Sequence, residues 1–345
     1  MEVRNLSKEY DNKIILKGLN FNIKSGEFVS ILGPSGSGKS TILKILAGLE
    51  PMNSGEIFFE NKLINKEPPY KRSFNIIFQN FALFPHMDVY ENIAYGPRIK
   101  KWSKEVIDKE VDKLLKLVKL VDFKHASVDT LSGGQQQRVA IARALINKPK
   151  ILLLDEALSA LDPLHRKVMQ VELKRIQKEV GITFILVTHD QNEALLISDR
   201  IILINQGQIK QIGDPIEIYN EPDDLWTATF IGKSNIIKDG IFVKNNFVKW
   251  DDKEFYCLDI DFGENEPVDI VLRPEDIKIC FENKGFFNGV IISKSFQGVH
   301  WEVVFKADGS DRIYLVDTTI NFIIGKRVAI QWDEDAIHVM WKEGE

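Results

Sequence analysis

The most restrictive feature of this sequence is the run Gly33-Pro34-Ser35-Gly36-Ser37-Gly38-Lys39-Ser40-Thr41, which fits G-x-x-x-x-G-K-[ST]. It follows Phe28-Val29-Ser30-Ile31-Leu32, which reads as a buried strand, and precedes an apolar helical segment from Ile42 to Leu49. Glycines in such a loop let backbone N–H groups turn inward around phosphate oxygens, and the helix N-terminus adds partial positive charge. Lys39 is long enough to reach β- and γ-phosphates, and the Ser40 hydroxyl suits Mg²⁺. A strand, loop and helix joined in this way belong in an α/β fold with a parallel sheet.

Two further apolar runs, Ile151 to Leu154 and Ile182 to Val187, are short, lack alternation and are separated by helical segments. Both read as parallel strands buried on two faces. Residues 14–32 alternate apolar with polar, turning at Ser25-Gly26-Glu27. Ile107, Val111, Leu114, Leu115 and Val118 predict a helix over 104–119. Open α/β sheets bind ligands beyond the carboxyl ends of their strands, and both runs end in reactive side chains. The first ends in Asp155, a hard oxygen ligand for Mg²⁺, and Glu156, placed to polarise an attacking water. The second ends in Thr188-His189-Asp190, where His189 is placed to donate to a γ-phosphate and orient the water. A second anion site is predicted at Leu131-Ser132-Gly133-Gly134-Gln135-Gln136-Gln137-Arg138, which opens an apolar helix (Val139 to Ile146). Ser132 is its expected N-cap, and the glycines expose N–H groups.

At 345 residues the chain exceeds what one core usually serves, so two domains are expected. Five of the six tryptophans fall from residue 226 onward, and beyond about residue 236 β-branched and aromatic runs alternate with turn signals; this predicts a small all-β domain. Its aromatics Trp250, Phe255, Tyr256, Phe286, Phe287 and Trp301 are read as core or interface, the alternative being a ligand pocket. Lys plus Arg is 45 against 50 for Asp plus Glu, a net charge of −5 that lacks the footprint of a nucleic-acid binder. No apolar run approaches the ~18 residues that span a bilayer, and the start shows no signal-peptide pattern. The expectation is a cytosolic chain that meets a membrane through a partner. Cys257 and Cys280 read as small core residues. His86, His125, His165, His300 and His338 show no metal-ligand spacing and read as structural or surface residues.

The Leu131–Arg138 segment resembles the signature of ATP-binding-cassette ATPases. Gln79 in Ile77-Phe78-Gln79-Asn80 resembles that family's Q-loop, Ser159-Ala160-Leu161-Asp162 its D-loop, His189 its switch histidine and Tyr10 the aromatic that stacks on adenine. The resemblance covers about residues 1–235. It implies an α/β P-loop cassette domain over 1–235, with a mixed sheet and a helical subdomain at about 80–145, followed by an all-β OB-like accessory domain of the TOBE type over 236–345. Leu272-Arg273-Pro274-Glu275 and Phe230-Ile231-Gly232 resemble segments of importer ATPases that carry this accessory domain. Departures are Ser37, where the family often has Cys, and Ala157, where Pro or Ser is common.

By the same resemblance the ligands are ATP and Mg²⁺, with Glu156, His189 and Gln79 catalytic and Ser40, Gln79 and Asp155 at the metal. Tyr10 and the loop from Gly33 to Thr41 hold the nucleotide, joined by Ser132, Gly133, Gly134, Gln135 and Asp162. The signature caps the ATP of an opposite subunit, so two ATPs are sandwiched in a head-to-tail homodimer. A ligand at 100 times its Kd contributes about 2.7 kcal/mol per site. Two sites therefore approach the ~5.5 kcal/mol that inverts a 1:99 population. The implied partners are two transmembrane permease subunits and, indirectly, an extracytoplasmic solute-binding protein, with no nucleic acid. The implied location is the cytoplasmic face of the cell membrane. The nucleotide domain is most similar to that of spermidine/putrescine importers. Sugar, iron or sulfate import, or a soluble ATPase gated by its β domain, are the competing expectations. Phe81, Phe84 and Met87 are expected either to receive a helix of the membrane partner or to fill the helical subdomain.

Overall fold

The computed structural model describes residues 1–159 and 161–342, which leaves Ala160 of the D-loop-like segment outside the described residues. Two units divide at Pro215/Ile216. In chain order the first contains β1 (Glu2–Tyr10), β2 (Lys13–Asn22), β3 (Phe28–Leu32), α1 (Lys39–Ala47), β4 (Ser54–Phe59), β5 (Lys62–Leu63), β6 (Phe74–Ile77), α2 (Val89–Ile99), α3 (Lys104–Leu117), α4 (Gly133–Leu145), β7 (Ile151–Asp155), α5 (Pro163–Val180), β8 (Thr183–Thr188), α6 (Gln191–Ile197), β9 (Arg200–Asn205) and β10 (Gln208–Gly213).

The apolar runs read from the sequence lie side by side in a six-stranded sheet of order β10-β9-β3-β8-β7-β6. It is parallel from β9 to β6, with β10 antiparallel at the edge. Their missing alternation has a simple cause: alternate residues of each strand enter different cores. Val29, Ile31, Leu153, Ile185 and Val187 pack with α1 and the antiparallel sheet β2-β1-β4-β5. Phe28, Leu152, Leu154, Phe184 and Leu186 pack with residues of α2 to α5 on the other face. Phe81 is buried in that second core, so it fills the helical subdomain rather than offering a docking surface; Phe84 and Met87 stay partly exposed. The helices start where polar caps allow. Asp88 with Glu91 and Ser132 with Gln135 form capping boxes, and Ser103 and Asp162 cap α3 and α5.

The second unit begins within α7 (Pro215–Asn220) and continues through α8 (Leu225–Phe230), β11 (Asn235–Lys244), β12 (Phe247–Trp250), β13 (Lys253–Tyr256), β14 (Glu266–Leu272), β15 (Lys278–Cys280), β16 (Phe287–Phe296), β17 (Trp301–Ala307), β18 (Ile313–Thr318), β19 (Arg327–Gln331) and β20 (Ile337–Trp341). Its strands form two antiparallel sheets, β13-β12-β11-β14-β20 and β15-β19-β16-β17-β18. Trp250, Phe255 and Phe287 are buried in the core between them. The Trp250 ring stacks on Phe255 at 3.9 Å between centroids and donates from Nε1 to the Tyr314 hydroxyl at 3.2 Å. Tyr256 and Phe286 reach the surface. Cys257 is buried, which pushes its thiol up to about 11.

The Leu272–Glu275 segment acquires a physical role here. The buried Arg273 guanidinium donates to the carbonyls of Ala228 (3.0 Å), Lys233 (3.3 Å) and Tyr219 (2.5 Å) and to Ser234 Oγ (2.6 Å), and it lies 4.2 Å from the Tyr219 ring centroid. One cation thereby fastens α7, α8 and the following turn to the end of β14. This is why that segment belongs with the β unit, whereas the sequence reading set the boundary at 235/236. Replacing Arg273 by Met leaves these acceptors buried without a donor. The expected loss of stability is about 3 kcal/mol or more, with Arg273→Lys recovering only part because an ammonium lacks the planar fork. Urea unfolding followed by tryptophan emission, which weights the second unit, checks this; an unmoved midpoint for Arg273→Met contradicts it.

Candidate nucleotide site

Parallel register places the ends of four strands together. Leu32 pairs with Thr188, Val187 with Asp155, and Leu154 with Ile77. The residues that follow each end, Gly33, His189, Glu156 and the Phe78-Gln79 pair, therefore emerge along one edge, with neighbouring strands ~4.8 Å apart. At Gly33 a Cβ would lie 2.0 Å from the Ile204 carbonyl oxygen, so only glycine lets the chain leave β3 beside β9. Gly38, with φ of +100°, is the N-cap of α1 in left-handed conformation. The loop between them brings Lys39 back on itself: its Nζ donates to the Pro34 carbonyl at 2.8 Å. Burial pulls the Lys39 ammonium below its ordinary pKa. Ser37 Oγ is buried inside the loop with no hydrogen-bond partner among the described residues.

Two of the three expected metal residues, Ser40 and Asp155, are in contact, whereas Gln79 bonds to Glu156 and Ser159. Ser40 Oγ donates to Asp155 Oδ1 at 2.9 Å across α1 and β7. Burial raises the Asp155 carboxyl pKa, and the Ser40 hydrogen bond only partly offsets that. Glu156 sits just past the strand with φ of +47°, and its N–H extends the ladder to the Val187 carbonyl at 3.0 Å. That left-handed turn, uncommon for a non-glycine residue, is where its side chain meets the other two expected catalytic groups. His189 Nδ1 lies 3.1 Å from Glu156 Oε1, and Gln79 Nε2 lies 3.4 Å from Oε2. Gln79 Nε2 also donates to Ser159 Oγ at 3.0 Å. A contact between an imidazole nitrogen and a carboxylate places a proton on Nδ1.

Tyr10 ends β1 half-exposed, near Thr41 and Glu50, with the Lys8 ammonium 4.5 Å from its ring centroid. Lys8 is anchored to Glu50 at 2.7 Å, so one face of the ring carries a fixed cation. Ser132, Gly133, Gly134 and Gln135 start α4 as a separate group. Gln135 Oε1 accepts from the Ser132 N–H at 2.8 Å, and Ser132 Oγ from the Gln135 N–H at 3.4 Å. The box uses those two donors and not the N–H groups of Gly133 and Gly134. Asp162 accepts from the His165 N–H at 3.2 Å. Among the described residues no hydrogen bond ties this second group to the phosphate loop within one chain.

Two residues near the site were not singled out from the sequence. Arg143, on α4, donates from Nη1 to the Ala82 carbonyl and from Nη2 to the Phe81 carbonyl, both at 2.7 Å. Glu193 is the other. Asp190-x-x-Glu193 has the spacing of an exposed capping box, and Asp190 does accept from the Glu193 N–H at 3.1 Å. The Glu193 side chain instead turns inward and takes the Thr188 hydroxyl, one residue before His189. Its Oε1 is buried without a partner among the described residues, and burial pushes the carboxyl up to about 7.

A glycine loop with a buried lysine, a hydroxyl–carboxylate pair and a carboxylate–imidazole–amide trio at strand ends is the core of a nucleoside triphosphatase of the P-loop class. Comparison with known proteins agrees. Residues 16–159 match the ABC transporter family and residues 270–340 the TOBE domain. The chain is 57% identical over 344 residues to the spermidine/putrescine import ATP-binding protein PotA of Spiroplasma citri, covering 99% of this chain and 98% of that one. It is 51% identical over 342 residues to the protein of the same name from Clostridium novyi, with the same coverages. Among solved structures, cbiO1 from Clostridium perfringens, part of the ABC transporter complex cbiONQ, is 37% identical with a TM-score of 0.60 over 63% of this chain and 89% of that one. The ATP-binding cassette MJ0796, in a dimeric post-hydrolysis state bound to ADP and Pi, is 38% identical with a TM-score of 0.55 over 62% and 98%. The chain belongs to the ABC transporter family of ATP-binding proteins.

The Glu193 shift has a definite sign. A carboxyl whose folded pKa is raised contributes stability below its unfolded value, near 4.5, that is lost as pH climbs to about 7. The span corresponds to about 3 kcal/mol. Glu193→Gln lacks this titration, so its stability relative to the native chain is expected to improve steadily between those pH values. Unfolding curves of both proteins across that range decide it: a constant difference means Glu193 ionises normally in the fold.

Proposed function

We propose that this chain is the energy-coupling ATPase of a bacterial importer for spermidine and putrescine. The observation that carries the reading is the gathering of Lys39, Ser40, Asp155, Glu156, His189 and Gln79 at one edge of the sheet, in a chain similar over its full length to proteins named for that transport. Lys39 exchanges the Pro34 carbonyl for phosphate oxygens, and the loop from Gly33 to Thr41 supplies backbone N–H donors. Tyr10 offers the ring face opposite Lys8 to adenine. The hard oxygens of Ser40 and Asp155, already paired, fit Mg²⁺, with Gln79 completing the set. When bound, that ion neutralises charge on the β- and γ-phosphates. Glu156 orients the attacking water, and His189 steadies Glu156 and the γ-phosphate.

A single P-loop already surrounds the phosphates from one side. The Gly133 and Gly134 donors, with Ser132, Gln135 and Asp162, serve the ATP of a second copy in a head-to-tail dimer. ATP then holds the two copies together, and hydrolysis removes those contacts. Two permease subunits sit above this dimer at the cytoplasmic face of the membrane, fed by an extracytoplasmic solute-binding protein. A groove of about 590 Å³ lined by Leu49, Tyr70, Phe78, Phe84, Tyr95 and Arg143 receives the permease. The ATPase lies within residues 1–235 in this scheme, its last segment from Ile216 belonging structurally with the accessory domain that continues over 236–345.

Glu156→Gln is expected to bind ATP and nearly stop turnover, and in the native host to abolish uptake of labelled spermidine and putrescine while other uptake continues. Unchanged polyamine uptake at matched protein level assigns the motor to another cargo. Phe84→Ala is expected to weaken recovery of the permease complex while leaving ATP binding intact; a complex assembled at the native yield removes the groove from docking.

A further inference from the structure

Outside the nucleotide site, the second unit gathers a histidine and two carboxylates from three distant segments. Glu221 follows α7, Asp259 lies in the loop after β13, and His338 is in β20. Their ligand atoms all lie within 4.8 Å of one another. His338 Nδ1 is 2.9 Å from Glu221 Oε2 and 4.0 Å from Asp259 Oδ1. Its other nitrogen, Nε2, is 3.0 Å from the Pro222 carbonyl oxygen.

As it stands, Nδ1 carries a proton toward the Glu221 carboxylate, the place an ion would take, and the contact at Nε2 is the one that would hold the ring for it. Histidines that bind metals characteristically donate their second ring N–H to a carbonyl or carboxylate, which fixes the tautomer and aims the free nitrogen at the ion. The Pro222 carbonyl does this here and points Nδ1 at both carboxylates. His338 and Asp259 are mostly enclosed, with side chains 17% and 16% exposed, while Glu221 is at the rim at 65%. Two ligands are therefore enclosed by the fold, and the third comes from a side chain at the rim.

We propose that Glu221, Asp259 and His338 form a divalent-metal site that clasps the segment between α7 and α8 to β20. One imidazole and two carboxylates favour a borderline ion, with Zn²⁺ first, over Mg²⁺ or Ca²⁺, which take oxygen ligands. A tetrahedral ion with bonds of about 2.0–2.1 Å separates its ligands by about 3.4 Å. The two measured separations from Nδ1 bracket that figure, so modest side-chain movement suffices, and water takes the fourth position. The ion competes with a proton for Nδ1. Glu221, Asp259 and the Pro222 carbonyl face that nitrogen pair, with Asp223 further out, and together they hold the imidazolium against its burial. Affinity for the ion accordingly falls as pH is lowered.

The test uses the full chain without nucleotide, dialysed against ZnCl₂ in millimolar MgCl₂, with metal content by mass spectrometry and melting midpoints measured in parallel. The native protein is expected to retain one Zn²⁺ more than His338→Gln or Asp259→Asn and to gain thermal stability from Zn²⁺ that they do not. Glu221→Gln changes an exposed side chain and leaves the core intact, so it keeps the test decisive if the other variants misfold. It is expected to weaken Zn²⁺ by more than about tenfold. Equal Zn²⁺ content and equal affinity in the native chain and Glu221→Gln, or a retained ion that Mg²⁺ displaces, overturns the proposal.

Discussion

Everything at the nucleotide site depends on the register of four parallel strands. The pairs Leu32–Thr188, Val187–Asp155 and Leu154–Ile77 align the end of each of β3, β8, β7 and β6 with that of its neighbour to within one residue. Side chains in a strand alternate faces, so a slip of one residue would turn every one of them over. Asp155 would leave Ser40, and the buried residues of β7 would exchange cores. Two separate hydrophobic cores, one on each face, thus hold the register that catalysis needs.

The site also shows opposed electrostatic tensions. Burial lowers the Lys39 pKa and raises that of Asp155, so each resists being charged where it stands. Lys39 rests on a neutral carbonyl and Asp155 on a hydroxyl, partners that satisfy hydrogen bonding without neutralising charge. A polyanion and a divalent cation arriving together relieve both at once. This is how a perturbed pair of groups in a cleft reports its ligand.

Much of this was legible in the sequence because it is local. The phosphate loop, the Ser132 cap, and the carboxylates and histidine at strand ends are each readable from a few neighbouring residues, and the parallel sheet follows from runs without alternation. What escaped depends on contacts across the chain. Arg273 stood out only as part of a motif known by resemblance, and its role comes from a guanidinium that gathers carbonyls forty or more positions away, in a unit that begins at Ile216. Glu193 has the spacing of a surface cap and is buried beneath the histidine loop. Phe81 suited either docking or core filling because its loop is apolar, and the fold buries it in a core. His338 showed no ligand spacing because its companions lie 117 and 79 positions earlier, at 221 and 259.

Arg143 makes a mechanical link of two parts otherwise treated separately. Its two bonds grip the carbonyls of Phe81 and Ala82, both in left-handed backbone, while its own helix begins at Gly133. The span from Gly133 to Arg143 is about 15 Å at the rise of an α-helix. The loop that carries Gln79 is thus clamped to the far end of a rigid rod. A rotation of a few degrees at the clamp sweeps the glycine end through about an ångström, enough to make or break a hydrogen bond. In the proposed mechanism, movement of the Gln79 loop and of the glycine end would be strokes of a single crank, with the guanidinium as its pin.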